Sequence, residues 1–281
     1  MSLSSLAANL PMKKSGDMEQ LTDNVYLHTV PFEGYTITGA VVVAQRRAFV
    51  IDTLISPQAV QPVKELLADV APDRRVVVID THHHYDHVYG NAAFSGSDIV
   101  AHRLCPRLIR EQSHTSDESV PPEPPEGVPL PTITFGDRLT YVDGDTTLHL
   151  IHTPGHSEDS IVVYDDGQRI LFAGDTVEWP LPEFCQRDGY APFVKTLRQL
   201  KQLPIDKVVP GHGPVTGKEI IDANQRYVEG IYEAVRAARE NAVSRHQLEL
   251  PAEWFLPGGV TLDATYLAAH KANVEWAYDD A

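Results

Sequence analysis

Basic side chains are scarce in this 281-residue chain. Lys and Arg number 23 against 39 Asp and Glu, a formal charge of −16. A surface that acidic repels phosphate backbones and disfavours nucleic-acid substrates; otherwise the charge serves solubility. Cysteine is scarcer still. Cys105 and Cys185 are the only two. They lie far apart and in no C-x-x-C pair, so neither a disulfide framework nor a zinc finger is indicated, and both are expected as reduced thiols. Long apolar runs are missing: no stretch approaches the roughly 20 residues that cross a bilayer. The first 16 residues, with Lys13-Lys14, lack the apolar core of a secretion signal and read as a loose lead-in. Together these absences predict a cytoplasmic protein that engages neither membrane nor nucleic acid.

What is present is an alternation of strand-like and helix-like segments. Residues 24–30, 36–44 and 47–52 are rich in β-branched side chains and read as strands, with Gln45-Arg46 as a hairpin turn. Over 57–70, Val60, Val63, Leu66, Leu67 and Val70 recur at helical spacing, and Pro57 and Pro62 suit only the opening turns. Residues 75–80 are too uniformly apolar to be a half-exposed strand. A short strand over 98–101 and a short helix over 104–111 follow. Residues 113–131 hold six prolines and are neither regular helix nor central strand; they form a surface loop over the site or a connector. Further strands are expected over 133–135, 138–142, 146–153, 160–164 and 169–173, then helices over 190–203, 217–241 and 262–276. In the second of these helices Ile220, Tyr227, Ile231, Val235 and Ala238 line one face. Two β-rich halves with flanking helices suggest one sandwich of two sheets between helix layers, a single domain whose residues 217–281 form a helical extension.

Chemistry concentrates in four short clusters. Thr81-His82-His83-His84-Tyr85-Asp86-His87 leaves the apolar run Val76-Val77-Val78-Ile79 as an H-x-H-x-D-H pattern. His156, Asp175 and His212 each follow a glycine, namely Gly155, Gly174 and Gly211, after a strand-like run where a tight turn needs permissive backbone angles. Imidazole with carboxylate suits zinc and neighbouring divalent ions. His82 and His84, two apart in an extended turn, can face one ion, while Asp86 and His87 reach a second. Zinc takes about four ligands, with one position left for water in catalytic sites. Seven candidates are too many for one such ion and suit two sharing a carboxylate, with Asp175 the natural bridge. Ligands on loops at strand ends converge on one rim of a sheet. His83 and His152 have the wrong phase for ligation and are placed behind the ligands, and Asp52, ending its strand, is a carboxylate suited to buttress the site.

These motifs resemble the metallo-β-lactamase superfamily over roughly residues 20–215. The resemblance implies an αββα four-layer sandwich with a dinuclear centre along one edge. By motif, His82, His84 and His156 would hold the first metal, Asp86, His87 and His212 the second, with Asp175 between them. The stretch from Thr81 to Asn91 resembles that of glyoxalase II, although Tyr89 stands where that branch commonly has glycine. Glu178 stands where acyl-homoserine lactonases often carry tyrosine. The bridging Asp175 argues against a true zinc β-lactamase, and the acidic charge argues against the nuclease branches.

The resemblance therefore implies a hydrolase of a small ester, lactone or thioester that uses two divalent ions, zinc foremost, with iron or manganese as alternatives. A hydroxide shared by the ions would attack the carbonyl, and Asp86 would relay the proton to the leaving group. Three other readings compete: a mononuclear iron enzyme like the persulfide dioxygenases, a β-lactam hydrolase and a non-catalytic family member. Pocket walls are expected from loops 31–35, 113–131 and 177–190, the last presenting Trp179, Phe184 and Tyr190 to an acyl group or burying them in the core.

Overall fold

The computed structural model of the chain describes residues 18–112, 127–186 and 188–281. The lead-in over 1–16 and most of the proline-rich segment 113–131 lie outside the described residues. Seven strands form the first sheet in sequential order: β1 (Glu19–Thr22), β2 (Val25–Phe32), β3 (Tyr35–Val43), β4 (Arg47–Ile51), β5 (Arg75–Ile79), β6 (Asp98–His102) and β7 (Ile133–Phe135). β1 to β4 pair antiparallel, and β4 to β7 pair parallel through crossovers. The second sheet runs β8 (Arg138–Asp143), β9 (Thr146–His152), β10 (Ile161–Asp165), β11 (Ile170–Gly174) and β12 (Lys207–Pro210), antiparallel except for the parallel β11–β12 pair.

Alternation along the strands explains the layering. Phe49 and Ile51 of β4 and Val77 and Ile79 of β5 face the second sheet, packing on Leu148, Leu150, Ile161, Val163 and Phe172. Their neighbours Ala48, Val50 and Val78 point the other way, onto Val60, Val63 and Leu67 around helix α1 (Gln61–Val70). Both faces of β4 and β5 are thus covered, which is why these strands read as unbroken apolar runs. The second sheet does the same. Val162, Leu171, Ala173 and Val208 turn outward onto Phe193 and Leu197 of α4 (Tyr190–Leu200) and Tyr227 and Ile231 of α5 (Glu219–Glu240). The order is helix, sheet, sheet, helix, the expected four-layer αββα sandwich. No helix among the described residues is long and apolar enough to cross a membrane.

Some local expectations shift. α1 begins at Gln61, after a turn over residues 57–60, with Pro62 in its first turn. The strand β1 escaped notice because its residues are exposed or half-buried and carry no apolar alternation. Helix α2 (Tyr85–Val88) sits inside the histidine motif where a plain loop was expected. Short helix α3 is Cys105–Gln112, and the last helix, α6, is Ala264–Asp280, capped by the Asp263 carboxylate accepting from the Tyr266 amide. α6 packs Val274 and Ala277 into the same layer as α4 and α5.

Candidate metal centre

Four strands deliver the seven residues to one rim. β5 leads into His82 and His84, β9 precedes His156, β11 ends at Gly174 beside Asp175, and β12 ends two residues before His212. His84 is extended (φ −62°, ψ 145°) as it enters α2, and that single helical turn sets Asp86 and His87 side by side, both buried. The glycines serve two different needs. Gly174 (φ +49°) occupies the left-handed region, as expected. Gly155 and Gly211 are not in that region, and what they supply is room. A Cβ on Gly211 would lie 2.1 Å from Asp175 Oδ1, and one on Gly155 would lie 2.5 Å from the Phe193 ring.

The donors gather into two adjoining sets. Ligand atoms of His82, His84, His156 and Asp175 all lie within 4.8 Å of one another, and so do those of Asp86, His87 and His212. Asp175 joins the sets. Its Oδ2 is 3.4 Å from His82 Nε2 and 3.5 Å from His156 Nε2 on one side, and 3.2 Å from both His87 Nε2 and His212 Nε2 on the other. Asp86 Oδ2 lies 3.5 Å from His212 Nε2 and 3.6 Å from His87 Nε2.

The outward ring nitrogens are occupied, and this fixes the tautomers. A carbonyl or carboxylate can only accept, so Nδ1 must carry the proton where it meets one. His156 Nδ1 donates to the Glu183 carbonyl at 3.1 Å, and His212 Nδ1 to the Thr36 carbonyl at 2.8 Å. His87 Nδ1 donates to Asp52 Oδ2 at 2.8 Å, and Asp52 also accepts from the Thr81 amide and hydroxyl, both at 2.8 Å. Each of the three rings therefore aims Nε2 into the centre. Asp52 is the buttress expected from its strand-end position.

Burial and the two carboxylates pull the imidazoles of the centre in opposite directions. Burial pushes His84 well below the usual imidazole range and His156 down to about 3, with His83 and His82 adding to the effect on His84. At His87 and His212 burial acts in the same direction, but Asp175 and Asp86 outweigh it. His87 rises well above its ordinary value and His212 rises to about 10. Asp175, buried against these imidazoles, is held well below the carboxylate range. His82 Nε2, His87 Nε2 and Asp175 Oδ1 are buried, and no hydrogen-bond partner meets them. Buried polar atoms left this way are costly. Unpartnered imidazole and carboxylate donors converging on one spot fit divalent metal ions, which would meet all three.

A cavity of about 550 Å³ opens over the centre. Glu178, Glu183 and Cys185 line it from the expected loop 177–190, whereas the walls from Tyr85, from Leu108, Glu111 and Gln112 of α3 and from Thr265 and Tyr266 of α6 were not expected. Glu178, noted for its position alone, proves fully buried and 3.7 Å from His156 Nδ1, with its Oε1 accepting from the Glu183 amide. Tyr35, from the expected loop, stands edge-on to His212 at 4.8 Å between centroids. Phe184 and Tyr190 are not pocket walls. Phe184 is buried against Phe193, Tyr227 and Tyr232, and Tyr190 stacks on Tyr232 at 3.8 Å. Of the residues placed behind the ligands, His83 holds Asp159 at 2.9 Å beside the site. His152 instead stacks on His102 at 3.9 Å and meets the Glu158 carbonyl, so it touches no candidate ligand.

Two facing sheets, outer helix layers and a paired His/Asp set on one rim define a metallo-β-lactamase type of fold. The family model described as "Metallo-beta-lactamase superfamily" matches residues 37–212, more than half of the chain, and the protein belongs to that superfamily. Among curated relatives, acyl-coenzyme A thioesterase MBLAC2 of Gallus gallus is 29% identical over 173 residues, covering 54% of this chain and 61% of the relative. Hydroxyacylglutathione hydrolase of Idiomarina loihiensis is 32% identical over 155 residues, covering 54% of this chain and 51% of the relative. The chain thus spans only about half to three-fifths of these relatives' lengths. Among solved structures, a metallo-β-lactamase from Pontibacter korlensis superposes with a TM-score of 0.63 at 22% identity, covering 76% of this chain and 98% of that one, a likeness of fold.

Proposed function

We propose that the protein is a dinuclear metallohydrolase acting on a small ester, lactone or thioester. The observation that carries this reading is Asp175 Oδ2 lying within 3.5 Å of imidazoles from both donor sets. His82, His84 and His156 would hold one divalent ion and Asp86, His87 and His212 the other, with Asp175 shared; zinc suits this mixture of imidazole and carboxylate. Bound there, such ions activate water and polarise a substrate carbonyl. The names of the two relatives, both hydrolases of acyl conjugates, support a carbonyl substrate.

The chain's own residues supply positioning and proton handling. Asp86, buried to 5% exposure at the cavity wall, is the carboxylate able to accept the proton of the attacking water and pass it to the leaving group. Asp52, Glu183 and Thr36 accept from Nδ1 of His87, His156 and His212, so each ring already presents Nε2 to the centre. Tyr35 and Tyr85, whose hydroxyls meet at 3.3 Å, are donors placed where a substrate oxygen enters. The C-terminal α6 lends Thr265 and Tyr266 to the cavity, which supports reading the helical extension as part of the same domain. Unpaired Cys105 and Cys185 support a cytoplasmic setting.

The test is metal content measured alongside a hydrolysis panel of lactones, thioesters, aryl esters and β-lactams. Two metals per chain with turnover of a carbonyl ester or thioester is the expected result, and His84→Ala or Asp175→Ala should abolish both metal and turnover. A single iron with oxygen uptake, or full activity after metal removal, would overturn the reading.

A further inference from the structure

Carboxylates and tyrosines line the approaches to the metal centre, and among the described residues no Lys or Arg does. We infer that the protein takes uncharged or cationic acyl donors and rejects anionic ones. This rests on the hydrolase reading above and narrows its substrate class.

A second cavity adjoins the one over the centre, with Tyr35 and Tyr266 lining both. The first carries Glu111, Glu178 and Glu183 in addition to the candidate ligands. The second, about 580 Å³, has apolar walls from Phe32, Trp179, Pro180 and Val260, with Glu33 and Asp263 at its margin. A substrate that reached past Tyr35 and Tyr266 would go from carboxylates and tyrosines to an apolar groove that also holds Glu33 and Asp263. Arg107 of α3 lines neither cavity: it bonds both Glu111 oxygens, at 2.7 and 2.8 Å, and Glu158 at 3.3 Å. Glu111 is thereby offset. The Glu183 side chain has no ion pair or hydrogen bond from any described residue and stays available to the cavity.

Recognition of an anionic tail needs the opposite furniture. Carboxylates and phosphates are gripped by Arg forks, Lys or convergent backbone N–H groups. Tyrosine and tryptophan faces together with carboxylates suit apolar or cationic groups. An anion about 10 Å from an unpaired carboxylate is disfavoured by on the order of tenfold at the effective dielectric of a protein surface. Hydrolysis of RCO–XR′ by water breaks the C–X bond, forms RCO₂⁻ and HXR′, and releases one proton.

The experiment compares three butyrate esters on metal-loaded protein. Their alcohols are choline (cationic), 3,3-dimethylbutanol (its neutral isostere) and 3-hydroxypropanesulfonate (anionic). The expected result is kcat/KM for the sulfonate roughly tenfold or more below the neutral ester. Glu183→Gln and, independently, the exposed Glu33→Gln should narrow that gap. Calorimetric binding to the same protein provides a second readout: hexyltrimethylammonium should bind and hexanesulfonate should not. If none of the three esters is cleaved, calorimetry still decides the charge preference, and the hydrolase reading stands or falls on the lactone, thioester and aryl-ester panel above. Equal or faster turnover of the sulfonate ester, or binding of hexanesulfonate at least as tight as the ammonium, overturns the inference.

Discussion

Asp52 Oδ2 lies 2.8 Å from His87 Nδ1, so a carboxylate at the end of β4 holds an imidazole carried by α2. Asp52 itself sits at φ +59°, a left-handed conformation that Asn also tolerates. Asp52→Asn therefore keeps the backbone and removes the charge. Losing such a partner should weaken metal binding by roughly 10–100-fold. Competition with a chromophoric chelator measures it; unchanged affinity would show that Asp52 does not orient His87.

Metal binding should be strongly pH-dependent. In the metal-free protein Asp175 and Asp86 hold His212 at about 10, against burial, and raise His87 in the same way. An incoming ion must displace these protons, so affinity should fall as pH drops below about 10, by about tenfold per unit for each proton displaced. The stability of the metal-free protein runs the other way. A raised imidazole contributes fully below its ordinary 6.5, and its contribution is lost as pH rises through about 10. Calorimetry in two buffers of different ionisation heat counts the protons released.

Gly211→Ala would drive a methyl group into Asp175 Oδ1, 2.1 Å away, and to 3.0 Å from His87 Cε1. The expected outcome is loss of the shared carboxylate's position: less than the full metal complement and turnover reduced by roughly 100-fold, as a 1 Å misplacement commonly costs. Metal analysis beside circular dichroism separates a displaced ligand from an unfolded chain.

Phe184→Ala should behave as a core substitution. The ring is buried among Phe193, Tyr227 and Tyr232, so truncation should cost about 3–5 kcal/mol in denaturant unfolding. KM for small substrates should barely move. A large rise in KM with unchanged stability would restore Phe184 to the pocket.

That Asp175 and the five candidate histidines gather on one rim was legible because imidazole and carboxylate in turns after apolar runs leave a local mark. The layered sandwich was legible for a similar reason, since strands covered on both faces must be apolar throughout. Phe184 and Tyr190 could not be assigned that way. An aromatic in a loop has the same sequence signature whether it faces substrate or core, and only the packing of α4 and α5 against that loop decided it. His152 was misplaced because proximity along the chain to His156 was taken for proximity in space; β9 directs its side chain toward His102 instead.

By itself the sequence determined the type of fold and the chemical character of the centre, because both depend on residue kinds repeated at short spacing. Tertiary structure decided which residues of the expected loops, and which residues outside them, surround that centre. Glu183 and Tyr266 reach the cavity from a loop and a helix that carry no motif, and Glu178 is buried there by Asn224 of α5, whose side chain bonds both its amide and its carbonyl. Specificity sits in such walls because a substrate meets whatever surfaces the fold brings together, however far apart they lie along the chain.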